Sequence, residues 1–182
     1  RVPSETGARV LDLGTGCGCV AIAIARERPR AEVVAVDAST EAVALARENA
    51  DRHAARNLTV LGGDWFAAVA GQRFEVVGAN PPYVAASDPH LAEGDLRFEP
   101  RQALVAGPDG LECIEAIIAA SGWHLVRGGW LLFEHGIGQA PRCRERLAAA
   151  GFGDIFTQRD LAGIERVSGG RSGNSRSTPP SR

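Results

Sequence analysis

Short runs of apolar and β-branched residues alternate along the chain with stretches in which alanine and leucine recur at helical spacing. Arg9–Leu13 (RVLDL), Glu32–Val36, Leu58–Leu61, Phe74–Ala79, Trp130–Glu134 and Ile155–Gln158 carry the first pattern and are predicted strands. Val20–Glu27, Thr40–Arg52, Leu111–Leu125 and Gln139–Ala149 carry the second and are predicted helices. Ser39 stands where its hydroxyl can cap the second helix, and Pro29 helps to stop the first. Strand and helix in alternation predict an α/β domain with a doubly wound, mostly parallel sheet. In such a sheet ligands bind outside the carboxyl ends of the strands, so the residues just beyond each strand are the ones to read for chemistry.

Composition narrows the picture without redirecting it. The chain has 182 residues, 45% hydrophobic and 23% charged, which suits one well-buried domain. Its 20 basic residues are all arginine and face 22 acidic ones, a formal charge of -2 that gives no general pull toward nucleic acid. No stretch approaches the roughly 20 apolar residues of a membrane span, and RVPSETGARV at the start lacks the regions of a signal peptide, so a cytoplasmic protein with no membrane partner is expected. Cys17, Cys19, Cys113 and Cys143 form no CxxC pair and have no histidine at zinc-ligand spacing; no disulfide and no metal are expected. The absence of methionine, even at position 1, reads as a piece of a longer product, with residues 1–7 as the remnant of a linker. The domain itself is expected over 8–171. The polar, Gly-, Ser- and Pro-rich 172–182 is expected to be a disordered tail.

The first strand ends in DLGTGCGC, which offers Asp12, Gly14, Thr15, Gly16, Cys17 and Gly18. Alternate glycines let the backbone turn tightly and approach a ligand, while the following helix presents free N–H groups. A dinucleotide fingerprint would require a glycine at position 19, where the chain has Cys19. After the second strand comes Asp37, about 20 residues further on, placed to accept hydrogen bonds from both ribose hydroxyls of an adenosine. That adenosine could belong to NAD or to S-adenosylmethionine. After the third strand, GDWF places Asp64 and Trp65 where the indole packs against an adenine and the acid or its backbone meets the base edge; a purely core role for the tryptophan is the plainer alternative. The spacing D-x-G-x-G-x-G resembles the first motif of class I methyltransferases that use S-adenosyl-L-methionine. That resemblance implies a seven-stranded sheet with an antiparallel last strand.

The fourth strand ends in GANPPYV, and Asn80-Pro81-Pro82-Tyr83 matches the (N/D)PPY motif of enzymes that methylate planar amide or amino nitrogens. An amide nitrogen is a poor nucleophile because its lone pair is delocalised, whereas a sulfonium methyl is already activated, so the remaining problem is orientation. The Asn80 side-chain oxygen and the Pro81 carbonyl are placed to accept the two N–H bonds of a substrate amide and aim its nitrogen. The prolines lack N–H groups and have fixed φ, which keeps the acceptors rigid. Tyr83 is placed to stack on the amide plane. No strong general base is required, because the nitrogen becomes acidic only as the new bond forms.

From about Val10 to Arg171 the chain resembles the release-factor glutamine methyltransferases of bacteria. The resemblance rests on DLGTGCG, Asp37, GDWF, NPPY, the segment DPHLAEGDLRFEPRQAL, AGPDGL, LLFEHG and ERVSGGR. It implies methyl transfer from S-adenosyl-L-methionine, leaving S-adenosyl-L-homocysteine, to the glutamine of the GGQ loop of class I peptide chain release factors. Carried over by position, Gly14 to Gly18 hold the methionine part of the cofactor, Asp37 the ribose and Trp65 the adenine, and Asn80 to Tyr83 the glutamine, with Asn80 also beside the cofactor. A monomer is expected. Family members have a helical N-terminal domain and a proline-rich connection that this sequence does not contain, and small residues such as Ser, Thr or Ala usually stand where Cys17 and Cys19 do. His135 is expected to be structural, Arg97, Phe98 and Glu99 to shape the wall around the substrate loop, and Arg166 to be exposed. Three other readings stay open: methylation of a glutamine in a large-subunit ribosomal protein, methylation of a nucleic-acid amino group, which calls for a basic, aromatic-lined surface, and cofactor binding without catalysis.

Overall fold

The computed structural model describes residues 7–88 and 104–173. Arg97, Phe98 and Glu99 in the RFEP segment, positions 1–6 of the expected linker remnant and 174–182 of the expected tail lie outside the described residues.

Seven strands form one sheet: β1 (Arg9–Leu13), β2 (Glu32–Asp37), β3 (Leu58–Gly62), β4 (Phe74–Ala79), β5 (Leu125–Glu134), β6 (Phe152–Arg159) and β7 (Glu165–Ser172), in the order β3-β2-β1-β4-β5-β7-β6. The first five pair in parallel, and β7 runs antiparallel to both its neighbours, so β6 shares the common direction. From β3 at one edge the chain crosses back to β4 beside β1, which makes the β1/β4 boundary the switch point where such sheets open a crevice.

Alternation of side chains across the strands divides the core in two. Val10, Val33, Ala35, Val60 and Val76 face the buried sides of α1 (Cys19–Glu27) and α2 (Thr40–Arg52). Leu11, Leu13, Val34, Val36, Val77, Leu131 and Phe133 face α3 (Glu112–His124) and α4 (Ala140–Ala149) on the other side. Both faces are covered, as a parallel sheet requires. The small side chains Ala21, Ala25, Ala46 and Ala50 let α1 and α2 approach closely. Ser39 caps α2 as expected, its Oγ accepting from Ala42 N at 3.1 Å.

Three expectations need correction. β5 begins at Leu125, five residues before the expected start. In the fold Gly128 sits in the strand at φ +78°, opposite a register shift between Phe74 and Val76, and its carbonyl accepts from Arg171 Nε at 3.1 Å. β6 likewise begins earlier, at Phe152, which is buried. Ser172, assigned to the disordered tail, instead pairs with Phe152 and is 5% exposed, since the strand continues as long as a partner remains. Among the described residues no helix is long and apolar enough to cross a membrane.

Phe133, on β5, the third strand from one edge of the sheet, belongs to the core and is 1% exposed. Phe133→Ala is expected to cost about 3 to 5 kcal/mol, read as a lower urea midpoint at an unchanged slope.

Candidate active site

Strand register sets the carboxyl ends level. Leu13 lies beside Val36 and Ala79, Ala79 beside Phe133, and Asp37 beside Gly62. Gly14, Asp37, Gly63, Asn80 and Glu134 therefore emerge along one edge of the sheet.

The loop after β1 is fastened to the end of β2. Gly14 and Thr15 both donate to the Val36 carbonyl, at 2.9 and 3.1 Å, and Gly16 N donates to Asp37 Oδ2 at 2.8 Å. Gly14, Gly16 and Gly18 all have positive φ, at +67°, +56° and +83°, where a side chain would be strained. Gly18 has a second reason to lack one, because an added Cβ would stand 3.2 Å from Ala46 Cβ on α2. Gly18 N donates to the Thr15 carbonyl and the Gly18 carbonyl accepts from Ile22 N, so the loop passes directly into α1 with no side-chain cap.

Beneath this loop lies Asp12, 5% exposed, whose Oδ2 accepts from Thr15 Oγ1 at 2.6 Å. Burial pushes its carboxyl up to about 6, against the lowering effect of the Thr15 hydroxyl and the Ala21 N–H. Asp37 is less enclosed. Its Oδ1 accepts from Ser39 N at 2.9 Å, so each carboxylate oxygen holds one backbone N–H and keeps a further lone pair for another donor. Its part in tying down the glycine loop went unforeseen in the sequence, where only ribose hydroxyls suggested themselves as partners.

A cleft of about 250 Å³ opens here, bounded by Gly14, Gly16, Asp37, Asp64, Trp65, Asn80 and Pro82 among others. Trp65 lines the cleft and packs against the core cluster, with φ at +42°. Its Cζ3 lies 3.8 Å from where a Cβ on Gly14 would stand, and the Asn80 carbonyl 3.6 Å from the same point. The glycine loop, the tryptophan and the motif thus meet around one glycine. Asn80 is exposed at the cleft and Pro81 is buried. Asp12, Thr15, Cys17, Gly18, Pro81 and Tyr83 are not among the residues that border the cleft. Cys17 and Cys19 are exposed free thiols. A larger hollow of about 630 Å³ beside Ile118, Gly122, Phe152 and Ser172 has no titratable side chain in its lining among the described residues.

Tyr83 stands on the β5 side, where its hydroxyl donates to Glu134 Oε1 at 2.9 Å. Beyond it the chain is held by a short parallel pairing: Val84 N donates to the Leu104 carbonyl and Ala106 N to the Val84 carbonyl. His135 is fully buried, as its structural reading requires. Its Nδ1 meets the Gly136 carbonyl at 3.1 Å and must donate there; in the neutral ring Nε2 then accepts from Ser168 Oγ at 3.0 Å. Ser168 continues to Thr157 and Arg144, a polar chain that runs from the end of β5 across β7 and β6 to α4, and His135 is not among the residues that border the cleft. Arg166 is half-buried rather than exposed, near Asp160 Oδ2 at 3.4 Å. Among the described residues no group of three or more His, Cys, Asp or Glu side chains is placed to hold a metal ion.

Level strand ends, a glycine loop at the switch point and a strand order with one reversed strand define the class I, S-adenosylmethionine-dependent methyltransferase fold. A methyltransferase from Pyrococcus furiosus superposes with a TM-score of 0.73 at 17% identity, over 94% of this chain and 78% of its own. A ribosomal protein L11 methylase from Lactobacillus delbrueckii gives 0.64 at 22%, over 92% and 72%. At such identities the likeness is one of fold. Among curated proteins, a "Release factor glutamine methyltransferase" from Pseudomonas aeruginosa is 53% identical over 164 residues, 90% of this chain and 59% of that protein. One of the same name from Escherichia coli is 48% identical over 171 residues, 94% of this chain and 61% of that protein. The chain thus spans about three fifths of the length of these relatives. The methyltransferase small domain family matches residues 1–96, and the chain belongs to that family.

Asp12 generates a pH prediction. Its carboxyl is raised from the ordinary 3.8 to about 6 in the folded state, so folding favours the protonated form. The stability this contributes is complete below about pH 4 and is lost as pH rises through about 6, an effect of about 3 kcal/mol. Asp12→Asn is expected to be more stable than the parent at pH 7.5 by up to roughly that amount, with the difference vanishing near pH 4 in chemical denaturation.

Proposed function

We propose that this chain is the catalytic domain, over about residues 8–171, of a protein-(glutamine-N5) methyltransferase. It carries a methyl group from S-adenosyl-L-methionine to the GGQ-loop glutamine of class I peptide chain release factors, acting as a monomer in the cytoplasm with no membrane or direct nucleic-acid partner. The observation that carries this reading is the placement of Asn80: exposed at the end of β4, on the cleft, with its own carbonyl against Gly14 of the glycine loop. An acceptor for a substrate amide and a cradle for the cofactor thereby share one wall.

The residues present suit the cofactor. Gly16 has open space where a side chain would be, and Gly14 meets only loose contacts there, so Gly14 to Gly18, with Thr15 and Cys17 between the glycines, can wrap its methionine end over the buried Asp12. Asp37 keeps lone pairs for the ribose hydroxyls, and Trp65 with Asp64 faces the adenine. When bound, the group supplies an electrophilic methyl whose sulfur leaves with the bonding electron pair. Everything else is left to positioning. Asn80 Oδ1 and the Pro81 carbonyl accept the two N–H bonds of the substrate amide, and Pro82 and Tyr83 bound its plane. The nitrogen loses one proton to water as the N–C bond forms, so no buried base is needed, and His135 is committed elsewhere. The names carried by the curated relatives favour a release-factor glutamine over a ribosomal-protein glutamine or a nucleic-acid amine.

Incubation of unmethylated release factor with this chain and S-adenosyl-L-methionine, followed by peptide mass spectrometry, is expected to show one added methyl on the GGQ glutamine. Modification elsewhere, or none while the cofactor binds, refutes the substrate assignment. Asn80→Ala is expected to abolish transfer while weakening cofactor binding by no more than about tenfold, roughly 1.4 kcal/mol; undiminished turnover in that variant removes Asn80 from the mechanism.

A further inference from the structure

Tyr83 is gripped from two directions by one short segment, Glu134 to Gln139 (EHGIGQ), which links β5 to α4. Its hydroxyl donates to Glu134 Oε1 at 2.9 Å, and its carbonyl accepts from Gln139 Nε2 at 3.0 Å. Between those two points the Gly136 backbone comes so near that a Cβ there would stand 3.4 Å from Tyr83 Cδ2. The Gln139 amide cannot turn over, because its Oε1 accepts from Gly136 N at 2.8 Å while its Nε2 also faces the Asp109 carbonyl at 3.3 Å. One side-chain amide therefore joins the end of β5, the motif loop and the loop before α3. Arg142, one turn into α4, pairs with Asp109 at 2.7 Å and braces that loop from outside.

Nothing in helix formation calls for this arrangement. Gln139 is the N-cap of α4, yet its side chain makes no capping bond and is turned toward the motif instead. Every hydrogen bond described for that side chain ends on backbone at Tyr83, Asp109, Gly110 or Gly136, away from the glycine loop, Asp37 and Trp65.

We infer that Gln139 is a positioning residue for the substrate amide, acting by fixing the backbone and ring of Tyr83. The inference rests on the amide-methylating reading above and adds to it the residue that holds the stacking face still. A shift of the Tyr83 carbonyl would carry the ring and the adjoining prolines with it, and misalignment by about 1 Å is enough to cost up to roughly a hundredfold in transfer rate.

Tyr83 is the single tyrosine of the chain, so protein made with carbonyl-13C tyrosine gives one resonance for the bond in question. In Gln139→Leu that resonance is expected to move upfield by more than its linewidth. Turnover at saturating release factor should fall roughly tenfold or more, while the cofactor Kd stays within about threefold of the parent. Gln139→Glu keeps the length and the Gly136 bond but sets a carboxylate against the Tyr83 carbonyl, and is expected to lose turnover as severely; it serves where the leucine variant does not melt cooperatively. An unmoved resonance, turnover within twofold of the parent, or a parallel loss of cofactor affinity overturns the proposal, as does loss of cooperative melting in both variants. If the parent itself leaves release factor unmodified, it is the substrate reading that fails, and the resonance alone then decides the clamp: moved upholds it, unmoved overturns it.

Discussion

The arrangement of this molecule depends on where β1 stops. Leu13 is fully buried in the centre of the sheet, paired with Val36 on one side and Ala79 on the other, so three strands end at the same height. Beyond that line β1 and β4 have no strand partner for the backbone, and each must find other hydrogen bonds or stay open to a ligand. The glycine loop takes the Val36 carbonyl and the Asp37 carboxylate; Asp37 takes Gly16 and Ser39. A single acid thereby sets both the path of the loop and the start of α2, and the cleft is what these bonds leave uncovered. The motif at the end of β4 adds rigidity of another kind, since two prolines hold φ without needing donors of their own.

Much of this was legible in the chain. The period-two and helical patterns located most elements within a few residues because both faces of a parallel sheet are buried, and burial enforces apolar runs. Asp37, Trp65 and Asn80 were found by reading just past each run, and the structure brings all three to one cleft. Local pattern stopped short at Leu125–Gly129, where two glycines interrupt the apolar run yet stay in the strand, opposite a register shift between Phe74 and Val76. It was silent on Glu134 and Gln139, because a polar residue at a strand end or a helix start is ordinary. Their significance comes from Tyr83, more than fifty residues earlier, and no periodicity records a contact of that range. The motif AGPDGL gave the one available hint: Gly110 has φ +74°, and a Cβ there would collide with the Tyr83 carbonyl.

The site concentrates features that stability alone would remove. Asp12 is a buried acid whose charged form is disfavoured by burial relative to water. Trp65 holds φ at +42°, which is uncommon for a bulky residue, and the glycine loop gives up side chains that would otherwise pack. The rest of the domain has the material to offset them: two apolar cores, one on each face, with no buried side-chain polar atom left without a partner among the described residues. Strain at the ligand side that is supported from outside is what a pre-shaped cleft requires. Asp12 shows the exchange most directly. Its bond to Thr15 pins the turn between Gly14 and Gly16 from below, as Asp37 pins it from the side, so the loop is held at two points before any ligand arrives. A neutral side chain at position 12 would relieve the buried charge, but it would weaken a charge-assisted bond at the place where the backbone must stay open.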